Sequence, residues 1–93
     1  MTDTPTAVDV VVRGRVQGVG FRFHAVERAE ALGVTGWVRN EPDGSVACHL
    51  EGPSDAVGSL VDWCRQGPHH AQVETVDVED VPATGATAFD VGF

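Results

Sequence analysis

With 93 residues, 42% of them hydrophobic, the chain suffices for one small domain around a single two-layer core. Its formal net charge is −8 and its six positive charges are all arginines, so the field of the whole surface excludes nucleic acid and anionic membranes as partners. Two cysteines are too few for a disulfide scaffold, and no apolar run approaches the ~20 residues of a membrane span.

Residues 1–6 have neither the basic nor the apolar region of a signal peptide and read as a disordered tail. Residues 7–93 are then one domain, expected to be a cytoplasmic monomer with both thiols reduced. Ala7–Gly14, rich in valine, reads as the first strand. It runs into Gly14-Arg15-Val16-Gln17-Gly18-Val19-Gly20-Phe21-Arg22, a glycine-rich strand-to-helix turn. Its glycines let backbone N–H groups converge without Cβ obstruction, and the first turn of the next helix adds unpaired donors and the positive end of its dipole. The turn is a candidate phosphate cradle made by the backbone of Arg15, Val16, Gln17, Gly18, Val19, Gly20 and Phe21. Arg22 stands at its mouth with a planar donor fork suited to two oxygens of one phosphate.

Other phosphate loops are excluded by inspection. The Walker loop requires a lysine, which the chain lacks, and the dinucleotide fingerprint requires a glycine where Phe23 stands. A cysteine phosphatase would carry its thiol at the position of Val16. The cradle can hold a phosphoryl group and brings no nucleophile of its own.

Phe21–Leu32 follows as a helix with Phe21, Ala25, Ala29 and Leu32 on one face and Gly33 as its stop. The second strand is Thr35–Glu41, and Pro42-Asp43-Gly44 turns the chain into a third, Ser45–Glu51. There Val46, Cys48 and Leu50 are expected on the buried face, with Ala47, His49 and Glu51 on the other. Gly52-Pro53-Ser54-Asp55 opens a second helix whose Val57, Leu60, Val61 and Cys64 form an apolar stripe. Residues 71–81 alternate valine with acidic residues as a half-buried fourth strand, and Ala88–Phe93 forms a short closing strand. A β-α-β-β-α-β order with right-handed crossovers gives an α+β, ferredoxin-like sandwich: an antiparallel sheet, two helices on one face, and the short C-terminal strand. Strands one and two run parallel in it, so the glycine turn and Asn40 meet at one edge of the sheet.

Two motifs, VQGVGFR at 16–22 and GWVRNEPDG at 36–44, separated by one helix and followed by Gly67-Pro68, resemble the acylphosphatase family over nearly all of the chain after the tail. The resemblance implies hydrolysis of the carboxyl–phosphate bond of acyl phosphates, with acyl phosphate and inorganic phosphate as partners and without metal or cofactor. It implies that Arg22 binds the phosphate and that Asn40 positions the attacking water.

The chemistry is consistent with that reading. An asparagine orients water but cannot deprotonate it near neutral pH, so the substrate must be reactive in itself. An acyl phosphate is, because it expels a carboxylate of pKa about 4 and transfers its phosphoryl group through a loose transition state. By position alone Asn40 reads first as a turn residue bonding locally, and only its shared edge with Arg22 argues for the site. A non-catalytic module that binds a phosphorylated metabolite would use the same cradle. The four histidines show no metal-ligand spacing, and Trp37 and Trp63 read as packing residues.

Overall fold

Valines at alternate positions put one face of the first strand into the core. In the computed structural model, which describes residues 5–92, β1 runs from Pro5 to Arg15 and buries Val8, Val10 and Val12. It is followed by α1 (Phe21–Leu32), β2 (Thr35–Asn40), β3 (Val46–Pro53), α2 (Ser54–Gln66), β4 (Gln72–Asp80) and β5 (Phe89–Val91). The sheet has the order β4-β1-β3-β2-β5, with β1 and β2 parallel and separated by β3, as the interlocked crossovers require. One row crosses all five strands: Val78, Val10, Cys48, Val38 and Val91. Val10, Cys48 and Val38, at its centre, are no more than 1% exposed.

Both helices cover the same face. α1 lies over β2 and β5, and α2 lies over β1, β3 and β4. The helices meet through Phe21 and Trp63, whose ring centroids are 5.1 Å apart. Cys48 and Cys64 are free and buried. A hydrogen bond with the Cys64 thiol, together with burial, pushes the Cys48 thiol well above its ordinary range. Among the described residues no helix is long and apolar enough to cross a membrane.

Three features differ from the sequence reading. Pro5 and Thr6, assigned to the tail, pair with Pro53 and Gly52, because β3 extends far enough to offer them backbone partners; residues 1–4 lie outside the described residues. β4 reaches its partner through a register shift opposite Arg13 and Gly14, where Glu74 is the extra residue. That shift explains why Val73 and Val76, three apart, both pack toward the core. β5 joins β2 in parallel, so an antiparallel four-strand sheet gains a fifth strand of the other sense.

To join that strand, the segment after β4 crosses from one edge of the sheet to the other, at the end remote from Asn40. It is latched to the face opposite the helices. Glu51, only 7% exposed, accepts hydrogen bonds from Thr84 N–H and Oγ1–H at 2.6 Å each and from Gly85 N–H at 3.1 Å. His49, 4% exposed, donates from Nε2 to Glu51 and from Nδ1 to Asp9 at 2.7 Å. Two carboxylate acceptors require both ring nitrogens to carry protons. The strap thus buries the far end of a strand face expected to be open.

The latch predicts a pH dependence of stability. The Thr84 hydroxyl, the His49 ring and the strap amides lower the Glu51 carboxyl to about 2. Burial opposes a charged His49, but the hydrogen bonds and charges of Glu51 and Asp9 outweigh it and raise its pKa above 6.5. The Glu51 contribution is complete above the unfolded carboxyl value and is lost as pH falls toward about 2. The His49 contribution is complete below its unfolded value and is lost as pH rises through its raised folded value. Urea midpoints measured across pH should fall on both sides of a mildly acidic maximum, and Glu51→Gln should flatten the acid limb. An identical acid limb in the variant contradicts the latch.

Candidate active site

β1 ends at Arg15 and α1 begins at Phe21, so the loop between them has five residues to turn the chain over the edge of the sheet. Apolar side chains anchor it: Val16 and Phe21 are buried at 1% and 2% exposure, and Val19 packs against the same core. Between these anchors the chain turns outward at Gly18 and Gly20, whose φ values of 77° and 80° lie in the left-handed region that favours glycine. Gly20 is the N-cap of α1, which has neither a side-chain cap nor an acidic residue in its first turn. The first helical hydrogen bond runs from His24 N–H to the Gly20 carbonyl at 3.0 Å. The N–H groups of the preceding turn, with the positive end of the helix dipole behind them, suit an anion.

Asn40 is the last residue of β2, opposite Val46, and alternation from Val38 puts it on the helix side of the sheet. It therefore lies beneath the start of α1. The two elements enclose a cavity of about 230 Å³ lined by Gly18, Gly20, Arg22, Phe23, Asn40 and Val91. Gly18, Gly20, Arg22 and Asn40 are brought together as expected from the sequence. The side chains of Val16 and Phe21 serve the core, Val19 packs against it, and Arg15 closes β1 beside Gln72. None of these four lines the cavity, and nor does Gln17. Gly14 belongs to the β1–β4 pairing: a Cβ there would lie 2.2 Å from the Gln72 carbonyl oxygen.

Gln17 has a different task. Its Nε2 donates to the carbonyls of Glu41 and Ser45 at 2.8 and 2.9 Å, the two residues that flank the β2–β3 turn. The side chain is a strut between the glycine loop and the hairpin that begins at Asn40. Gln17→Ala should remove one hydrogen bond from each carbonyl, which keep the Gly44 and Glu41 N–H groups as donors at 3.1 and 2.8 Å, costing about 1–2 kcal/mol of stability. The relative position of loop and Asn40 should loosen with it, lowering kcat/KM about tenfold. Urea denaturation and steady-state kinetics check both, and unchanged kinetics in a destabilised variant would reduce Gln17 to a folding residue.

Two lining residues were missed from the sequence. Phe23 is 64% exposed, in a first turn where a polar residue is the ordinary choice; that exposure of an aromatic beside Arg22 is its only sequence signal. Val91 reaches the cavity because β5 pairs in parallel with β2, and a strand of three residues carries no signal of its partner.

A family model for acylphosphatase matches residues 8–91. The chain belongs to the acylphosphatase family. An acylphosphatase from Nocardioides is 56% identical over 89 residues, covering 96% of this chain and 90% of that protein. The crystal structure of an acylphosphatase from Bacillus subtilis matches with a TM-score of 0.92 at 32% identity, over 97% of this chain and 100% of that one. The structure of an acylphosphatase from Coxiella burnetii matches with a TM-score of 0.91 at 36% identity, over 95% of this chain and 93% of that one. An acylphosphatase splits a carboxyl–phosphate bond, and the small cavity here is lined by two loop glycines, an arginine and an asparagine.

Proposed function

We propose that the protein hydrolyses acyl phosphates in the cavity between the glycine loop and Asn40, by direct attack of water on phosphorus. Arg22 and the amides of the 15–21 loop where it faces the cavity, at Gly18 and Gly20, hold the phosphoryl oxygens, and Asn40 orients the water. The observation that carries this reading is that Arg22 and Asn40 line one cavity, at the mouth of a helix whose first-turn donors have no side-chain cap. As bonding to the leaving group loosens, charge spreads over the equatorial oxygens, where fixed donors stabilise it most. The carboxylate leaves without needing a proton, which suits a site with no general acid at its lining.

The enzyme acts as a cytoplasmic monomer that needs no metal. Its two buried free thiols are in keeping with a reducing compartment. Metal independence rests on the donor set: Arg22 and the amides already supply positive potential, and among the described residues no three His, Cys, Asp or Glu side chains converge to hold an ion. Phosphate release from benzoyl phosphate should proceed undiminished in excess EDTA. Activity restored only by a divalent ion overturns the metal-independent mechanism, and phosphate binding without turnover means a binding module.

A further inference from the structure

A larger cavity, of about 630 Å³, lies beside the catalytic one and is not used by the mechanism above. It is a groove between α1 and the C-terminal end of α2. Trp63, Ala31 and Pro68 supply its apolar surface, while His24, Arg28, Gln66 and His69 bring polar groups to it. His69 sits in a turn held by Ala71 N–H donating to the Pro68 carbonyl at 2.9 Å. The groove and the catalytic cavity share a rim. The Cδ2 of His24 lies 3.4 Å from where a Cβ on Gly20 would stand, and the ring of His24 meets Phe23 edge-on at 5.4 Å.

We infer that this groove is the acyl subsite, and that it favours acyl phosphates whose acyl part is an apolar body ending in a carboxylate. The inference rests on the proposed hydrolysis and adds its substrate class. Direction comes first. Asn40 and Val91 approach the phosphoryl position from the β2–β5 side, whereas the groove departs on the α2 side. In-line displacement sets water and leaving group on opposite sides of phosphorus, so water at Asn40 sends the acyl group toward α2.

Charge comes second. Arg28 has no ion-pair partner among the described residues, whereas Arg13 pairs with Asp77 and Arg39 with Glu41. Glu27 also lines the groove, with Nδ1 of His24 hydrogen-bonded to it at 3.1 Å, and its charge works against the anion that Arg28 attracts. The carbonyl end of α2 disfavours an anion with about half a charge, less than the full charge of Arg28.

Reach comes third. Gly20 and Arg28 are about 12 Å apart along the helix at 1.5 Å per residue, and the arginine side chain leans back toward the N-terminus over about half of that distance. One aromatic ring or a short aliphatic chain spans the remainder, with Trp63 to pack against.

The test compares 4-carboxybenzoyl phosphate with 4-methylbenzoyl phosphate, similar in size and differing in the terminal charge, with acetyl phosphate as the substrate too small to reach the groove. Wild-type kcat/KM should favour the carboxylate substrate by about tenfold. Arg28→Gln should abolish that preference and Glu27→Gln should widen it, with acetyl phosphate turnover unchanged in both. Equal wild-type values for the two benzoyl substrates, or a preference that survives Arg28→Gln, overturn the subsite while acetyl phosphate turnover leaves the hydrolysis standing. Failure to hydrolyse any of the three overturns both.

Discussion

Arg22→Ala is expected to lower kcat by about 10²-fold or more and to raise KM as well. The guanidinium grips the phosphoryl group already in the ground state, which accounts for the rise in KM. Its bonds strengthen as charge accumulates on the oxygens, which accounts for the loss in kcat. The surrounding amides cannot compensate, since each contributes a partial charge where the arginine contributes a full one. Lysine should rescue poorly, because a point charge cannot reproduce the planar fork that meets two oxygens at once. Steady-state kinetics on benzoyl phosphate decide it: unchanged turnover at saturation removes Arg22 from the mechanism.

Asn40→Ala is expected to act on kcat alone, by about 10²-fold or more. A neutral amide adds little to the hold on a dianion, so substrate affinity should persist. What disappears is the fixed orientation of one water against phosphorus, and bulk water replaces it at an entropic cost. Asn40→Asp should be as damaging, because a carboxylate beside the phosphoryl oxygens repels the charge that Arg22 attracts. A variant whose KM rises as steeply as its kcat falls would make Asn40 a binding or structural residue.

The alternating valines of β1, the stripe of α2 and the Pro42-Asp43-Gly44 turn made the β-α-β-β-α-β order legible, because each is a local pattern that burial of one face dictates. The meeting of Arg22 with Asn40 followed from the same order, since parallel β1 and β2 end on one edge. The strap was not legible. Thr84, Gly85 and Glu51 are ordinary loop and strand residues, and their hydrogen bonds exist only because β5 must reach the opposite edge of the sheet. Gln17 was placed in the right loop, but the strut made by its side chain was not legible, because its acceptors, the carbonyls of Glu41 and Ser45, belong to a hairpin distant in sequence. Gly14 was read as part of the cradle for a similar reason: a glycine at a strand end gives the same signal whether it frees the loop or admits a neighbouring carbonyl.

The division of labour between Arg22 and Asn40 is tested most directly by the competitive inhibition constant of inorganic phosphate, measured in both alanine variants beside their kcat. Asn40→Ala should keep that constant within about twofold of wild type while kcat collapses, and Arg22→Ala should weaken phosphate binding by about tenfold or more. Phosphate binding lost equally in the two variants, or retained in Arg22→Ala, would contradict a cradle that grips at one residue and directs water from the other.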